Sequence, residues 1–171
     1  MVKRNNQLHK LRNLFKGGSV KAGVLSDATY ADELNVATVA FWNEYGTRSA
    51  PPRPFMLNAI AENKDKWREI LLSLLKANEY DIKQVLTMLG EEMAGDIRQS
   101  LLSGAFEANT DVTLLLKDRF PMNPDDITLA DLLKAVADAK DGVKPEGVHA
   151  KPLIWTGTLN KSISYEVEDE S

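Results

Sequence analysis

Few residues of this chain have the types and spacing that catalysis or metal binding requires. The two histidines, His9 and His149, are isolated, and the chain has no cysteine, so no metal-ligand spacing is present. Ser162 could pair with His149 as nucleophile and base, but nothing in the sequence selects this pair. We therefore expect no catalytic residue, no metal site and no cofactor, and we expect that the protein is not an enzyme.

Two further strings superficially match binding motifs. Residues 157–162 read Gly-Thr-Leu-Asn-Lys-Ser, which lacks the Gly-Lys-Ser/Thr adjacency that a phosphate loop needs. Asp125, Asp126 and Asp131 could suggest a cation site, but acidic residues are typical of the first turn of a helix. Thr128 is a plausible N-cap with Asp131 at the capping-box position, so we interpret these acids as a helix start.

The composition is that of an ordinary globular domain. The chain has 171 residues, of which 43% are hydrophobic and 27% charged, and we expect one domain over residues 1–171. The formal net charge of -4 argues against nucleic-acid binding by the protein as a whole. The sequence has neither a signal-peptide pattern nor an apolar run of the ~18 residues typical of a membrane span, so we expect no membrane contact and synthesis in the cytoplasm.

Charge is distributed unevenly at the two ends. Residues 1–16 carry five basic residues and no acid, and Leu8, Leu11 and Phe15 lie on one helical face. This basic segment could pack as a helix with its charges in water, or contact DNA or an acidic partner. Residues 166–171 carry four acids and no base. The ends are either solvated or complementary to neighbouring subunits or partners.

The periodicity of apolar residues predicts an α+β fold. The expected elements are strands at 20–24, 36–42 and 163–167, long helices over 55–78 and 82–104, a short strand or helical turn at 112–116, and a helix at 128–139. We expect a small mixed or antiparallel sheet packed against the two long helices, with a helical insertion at roughly 117–150 before the last strand.

Two helices have predicted apolar faces. In the first long helix the face comprises Leu57, Ile60, Trp67, Leu71, Leu74 and Leu75; in the insertion helix it comprises Leu129, Leu132, Leu133 and Val136. In the second long helix, Gly90 and Gly95 each cost roughly 1 kcal/mol against Ala. They therefore suggest close packing of that helix against the sheet or another subunit.

Two unusual strings stand about a hundred residues apart. Residues 39–47 read Val-Ala-Phe-Trp-Asn-Glu-Tyr-Gly-Thr and lead into Pro-Pro-Arg-Pro-Phe at 51–55, while residues 151–163 read Lys-Pro-Leu-Ile-Trp-Thr-Gly-Thr-Leu-Asn-Lys-Ser-Ile. In this order they resemble the tail-completion (neck) proteins of tailed bacteriophages, a family that includes the lambda minor tail protein Z and related virion morphogenesis proteins. The candidate residues for interaction or for determining the fold are Glu44, Tyr45, Gly46, Pro52, Arg53, Pro54, Phe55, Trp155, Thr156, Gly157 and Leu159.

The resemblance implies a structural virion protein. Such a protein forms a ring with copies of itself, expected to be a hexamer, on top of the tail tube, where it finishes the tail and permits head–tail joining. The implied partners are the tail tube or tail terminator protein, the head-closure and connector proteins, and DNA in the channel. The implied location is the tail or neck of the virion, after assembly in the host cytoplasm. The helix inside residues 117–150 departs from the short linker common in that family.

Two alternative functions stay open. A tail terminator also forms a ring and stops growth of the tail tube, and the sequence separates it poorly from a completion protein. An alternative of another class is a DNA-binding protein that uses the basic segment 1–16. That alternative predicts salt-dependent DNA retention that is lost when the segment is deleted.

Overall fold

The computed structural model describes residues 17–25, 27–30, 33–77, 81–147 and 151–169. The basic segment 1–16 and His149 lie outside the described residues, as do the last two residues of the acidic end. The described elements are β1 (Gly18–Val24), α1 (Val36–Tyr45), α2 (Phe55–Ala77), α3 (Ile82–Ser103), α4 (Asp111–Arg119), a 3-10 turn (Pro124–Asp126), α5 (Leu129–Lys140), α6 (Thr158–Ser162) and β2 (Ile163–Asp169). The predicted α+β fold is confirmed: a two-stranded antiparallel sheet packs with helices, and a helical segment precedes the last strand.

The chain forms two compact units, each assembled from separate segments. The described part of the first unit comprises residues 17–25, 55–77, 81–100 and 163–169, and it holds the sheet. The described part of the second unit comprises residues 27–30, 33–54, 101–147 and 151–162, and it holds α1, α4, α5 and α6. The expectation of one domain over residues 1–171 stays a prediction.

In the first unit, α3 approaches the sheet closely at Gly90. The strands pair antiparallel from Gly18 opposite Asp169 to Val24 opposite Ile163. A Cβ atom added to Gly90 would lie 2.8 Å from Cγ of Tyr165 and 2.9 Å from Cγ2 of Val20. Close helix–sheet packing is therefore the reason for this glycine.

Gly95 has no such neighbour. No atom of the described chain lies within 4 Å of a Cβ added at that position, outside the helix's own nearby backbone. The packing hypothesis is confirmed for Gly90, whereas the contacts of the described residues give no reason for Gly95.

The two glycines of α3 provide a matched pair of variants. Gly95→Ala should stabilise the protein by roughly 1 kcal/mol through helix propensity. Gly90→Ala should destabilise it, because overpacking typically costs about 1–3 kcal/mol and exceeds the same propensity gain. Urea unfolding of both variants measures the difference. Stabilisation by Gly90→Ala would contradict the helix–sheet approach.

The helix α2 begins at Phe55, as predicted, and this side chain is completely buried. Ala59, one turn later, is also completely buried. Farther along, the buried Trp67 donates its indole N–H to Asp96 of α3 over 2.7 Å, and Lys66 pairs with the same carboxylate at 2.8 Å. These contacts join the two long helices of the first unit.

The apolar face predicted for α2 is only partly correct. Trp67 is buried and Leu71, Leu74 and Leu75 are half-buried, but Leu57 is 49% exposed and Ile60 is 45% exposed. Because a helix turns about 100° per residue, Leu57 lies roughly 200° around the helix from Phe55. The buried side at the start of α2 is therefore set by Phe55 and Ala59.

Phe55 and Leu57 form a second matched pair. Phe55→Ala should cost about 3–5 kcal/mol, since the side chain is large and has no solvent exposure. Leu57→Ala should change the free energy of unfolding by no more than about 0.5 kcal/mol. Chemical denaturation of both variants is the measurement, and equal losses would contradict the assigned orientation of α2.

The predicted strand at 36–42 is wrong, because this segment is the helix α1. Asn35 caps the helix, with its Oδ1 accepting from the backbone N–H of Ala37 at 2.8 Å and of Thr38 at 3.3 Å. The buried residues Val36, Ala40 and Glu44 recur every fourth position, which is a helical stripe. The cap and this stripe outweigh the small β preference of the β-branched and aromatic residues.

Residues 112–116, for which a strand or a helical turn was expected, belong to the helix α4. The helix predicted at 128–139 is confirmed as α5. Thr128 accepts from the backbone N–H of Asp131 at 3.3 Å, and Asp131 accepts in return from that of Thr128 at 3.0 Å. The hydrogen bonds from Thr128 also hold the pKa of the Asp131 carboxyl below its usual value. The acidic residues at 125–131 therefore include a capping box, as interpreted from the sequence.

The apolar face predicted for α5 is not the buried one. Leu129, Leu132 and Leu133 are exposed, at 71%, 40% and 61%. The helix instead buries Ala135, which forms a small core with Leu115 and Leu116 of α4. A small residue allows the backbones of α4 and α5 to approach, and the leucines then remain on the outer side of α5. Among the described helices, none has the length and apolar composition needed to cross a membrane.

Candidate functional site

The second unit contains a cavity of about 520 Å³, and both unusual strings of the sequence line it. From the first string come Asn43, Pro51 and Arg53; from the second come Pro152, Leu153, Trp155, Thr156, Gly157, Thr158 and Leu159. The segment between them adds Glu107, Asn109, Thr110, Thr113, Lys117 and Asp125. The structure thus brings together two segments that are about a hundred residues apart in the sequence.

A sharp reversal places Arg53 at the cavity. The helix α1 ends at Gly46, whose φ of 76° favours glycine, and a Cβ there would lie 2.9 Å from the nitrogen of Pro52. The chain then folds back so that the backbone N–H of Arg53 donates to the carbonyl of Asn43 over 2.6 Å. The chain thus reverses its direction at Gly46, and the proline-rich loop holds Arg53 beside the end of α1.

The second string is fixed by hydrogen bonds of its own. Gly157 has a φ of 79°, a conformation that favours glycine, and it leads into the short helix α6. The indole N–H of Trp155 donates to the carbonyl of Phe120 over 2.8 Å. Leu159 is buried, and α6 contacts α1. Trp155, Thr156, Gly157 and Leu159 all line the cavity.

Lys117 of α4 is the buried cation of this site. Its side chain is only 3% exposed, and its ammonium group donates to the carbonyls of Lys151 at 2.8 Å and Ile154 at 2.6 Å. It also lies 5.7 Å from the ring centroid of Trp155, within cation–π range. Burial, and secondarily the positive charge of Arg53, lowers the pKa of Lys117 from 10.5 to about 8.

The other candidates of the first string have different environments. Glu44 is buried, Pro52 is exposed and Pro54 is half-buried, while Phe55 belongs to the first unit. Tyr45 is 60% exposed and contacts Phe41, which is also 60% exposed; the ring centroids are 4.8 Å apart and the ring planes are inclined at 47°. Together with the 44% exposed Trp42, these two residues form what we call the aromatic patch of α1.

Sequence reasoning missed Lys117 and Asn109, which lie between the two strings. A usable pattern was present, because Thr110, Thr113 and Lys117 are spaced so as to share one face of a helix. That face can be recognised only if residues 111–119 are read as a helix, and the pattern at 112–116 is equally compatible with a short strand. Nothing in the sequence indicated that the Lys117 ammonium group would be buried.

The site contains groups suited to binding. Two cations, two carboxylates, two amides and several hydroxyl groups line it together with apolar side chains. Ser162, the residue considered as a nucleophile from the sequence, donates its hydroxyl to the carbonyl of Thr158 over 3.0 Å. Across the described ranges, no cluster of three His, Cys, Asp or Glu side chains is arranged to hold a metal ion. Hydrogen bonding and charge pairing are the interactions that these lining groups offer.

Comparisons with protein-family models, curated proteins and solved structures gave no match for this chain. The phage-neck hypothesis therefore depends on the residues of the two strings and on where the structure places them.

The lowered pKa of Lys117 predicts how stability changes with pH. Between about 8 and 10.5 the unfolded state binds more protons at this residue than the folded state, so its contribution to stability rises with pH across this window. The free energy of unfolding of the wild type should therefore increase relative to that of Lys117→Met, by at most about 1.4 kcal/mol per pH unit. Urea unfolding of both proteins at about pH 7, 8, 9 and 10 tests this.

The difference between wild type and variant removes the contributions of other titrating groups. Lys144→Met is the matched control, because the Lys144 side chain is 70% exposed and forms a surface ion pair with Asp111. A pH-independent difference for Lys117→Met would show that the ammonium group is hydrated in the folded protein.

Proposed function

We propose that the protein is a structural component of the neck of a tailed bacteriophage or prophage, a tail-completion ring that finishes the tail and permits head–tail joining. The observation that supports this most directly is the convergence of the two strings on one cavity, with α1 against α6. Residues of both strings that carry the resemblance thus line one cavity of the second unit. They are not two unrelated similarities along the chain.

The aromatic patch supports a role in assembly. Phe41, Trp42 and Tyr45 present large apolar side chains on successive turns of α1 beside the first string. Aromatic residues are enriched at protein–protein interfaces, and contiguous exposed apolar surface commonly marks such sites. In the proposed ring, this patch contacts a neighbouring copy, and head-to-tail contacts of one kind close the ring when the rotation closes.

Electron microscopy of lysates tests the proposal. Disrupting the gene in the phage or prophage that encodes it should leave separate filled heads and tails. Wild-type protein supplied in trans should restore particles, whereas the double variant Phe41→Ser, Tyr45→Ser should not, because it removes both contacting rings of the patch. Leu72→Ser is the matched control, since it removes a comparably exposed apolar side chain from α2, away from the aromatic patch of α1.

The same lysates distinguish the related ring proteins. Tails of normal length that fail to join heads support a completion protein, whereas tubes of uncontrolled length assign the terminator role instead. Normal infectious particles in the disrupted strain would reject both.

A further inference from the structure

The cavity of the second unit has the size and lining of a ligand site. Its volume of about 520 Å³ lies within the range of roughly 300–1,000 Å³ that is typical of small-molecule pockets. Leu34, Val39, Leu153 and Leu159 provide apolar wall, and Trp155 adds an aromatic one. The polar groups lie among these apolar side chains. Small-molecule sites commonly have this arrangement, in which a few polar groups orient a mostly apolar ligand.

Two of these polar groups, Lys117 and Arg53, are cations that form no ion pair with a carboxylate of the described chain. Lys117 donates to two carbonyls, which carry no net charge. A buried charge without a counter-charge is costly, so an anion that enters the cavity gains from both cations.

Asn109 adds an unused hydrogen-bond donor. Its Oδ1 accepts from the Nη2 of Arg53 at 3.5 Å, and this contact assigns the amide orientation, because the reverse would turn the NH₂ group toward the guanidinium. Its Nδ2 is buried and has no acceptor within the described part of the chain. Arg53 has its own Nε directed to the carbonyl of Glu107 at 3.3 Å and retains further N–H donors.

We propose that this cavity binds a carboxylate carried on an apolar body, with Arg53, Lys117 and Asn109 holding the carboxylate. The planar fork of a guanidinium matches a carboxylate, and a buried amide N–H completes the donor set. Glu107 and Asp125 also line the cavity, and their negative charges disfavour a doubly charged phosphate. The apolar wall accepts the rest of the ligand.

This inference does not depend on the phage-neck proposal, because it concerns only the cavity. The carboxylate has two sources, a free organic acid or the end of a peptide chain. Calorimetric titration of the full chain with hexanoate represents the first, and titration with acetyl-leucine represents the second. Hexanamide, which has the same body without the charge, and inorganic phosphate are the controls.

We expect hexanoate or acetyl-leucine to bind at least tenfold more tightly than hexanamide and phosphate. The tighter of the two carboxylates assigns the source. The proposal would be overturned by equal binding of hexanoate and hexanamide, or by tighter binding of phosphate. It would also be overturned if neither carboxylate gave binding heat at about 10 mM, because a specific site should have a dissociation constant below about 1 mM.

Variants separate the carboxylate contacts from folding. Lys117→Met and Arg53→Met should each weaken binding about tenfold to a hundredfold, as expected for hydrogen bonds to charged groups. Asn109→Asp keeps the size of the side chain and an acceptor for Arg53, so it should remain folded, yet its negative charge should abolish carboxylate binding. Lys144→Met, on the surface, should bind normally. Unchanged binding by a folded Asn109→Asp would also overturn the proposal.

Proton uptake gives a readout that a purely structural role of Lys117 would not produce. The pKa of Lys117 is about 8, and a bound anion beside it raises that value, so binding near pH 8 should take up protons. Buffers of different ionisation enthalpy reveal this uptake. Arg53, Glu107 and Asp125 are the other charged side chains that line the cavity. Asp118 follows Lys117 in the sequence, and Lys151 provides one of the carbonyls to which Lys117 donates. Comparison with Lys117→Met subtracts their contributions, and uptake that persists in Lys117→Met would reject the assigned contact.

Discussion

A buried ammonium group organises the second unit. Lys117 donates from α4 to the carbonyls of Lys151 and Ile154, and these two hydrogen bonds fix the segment that leads into Trp155. Trp155 in turn donates to the carbonyl of Phe120 just after α4, so the two contacts hold the closing segment against one helix end. The same ammonium group lies under the Trp155 ring and on the wall of the cavity. The hydrogen bonds that hold the closing segment thus depend on one buried charge.

The constraint in the first unit is steric. The helix α3 lies so close to the strands that only glycine fits at residue 90, and the strand residues Val20 and Tyr165 fill the space that a Cβ would need. Apolar periodicity predicted both long helices nearly to their ends, because their buried positions recur over many turns. The flanking strands were equally predictable, since each alternates over a short run bounded by glycine or polar residues.

The secondary structure was predicted wrongly where a segment was too short to show whether its apolar residues recur with the period of a helix or of a strand. Residues 36–42 include β-branched and aromatic side chains, but the Asn35 cap and the stripe at Val36, Ala40 and Glu44 make them helical. The candidate site was predictable in part for the same kind of reason. Arg53 and the closing string were singled out by unusual local composition, whereas the burial of Lys117 and the unused donor of Asn109 arise only from tertiary packing.

An apolar pattern shows which side chains favour burial but does not identify what buries them. On α5 the pattern marks Leu129, Leu132 and Leu133, yet the helix packs on α4 through Ala135 and leaves all three exposed. On α1, Phe41 and Tyr45 contact each other and are both exposed to solvent. Both faces remain exposed to water after folding. A contact that covered them would be stabilised by about 25 cal/mol for each Å² of apolar surface removed from water. Contiguous exposed apolar surface commonly marks sites of protein–protein contact, and for this reason the two faces favour the assembly proposal over a solitary binding protein.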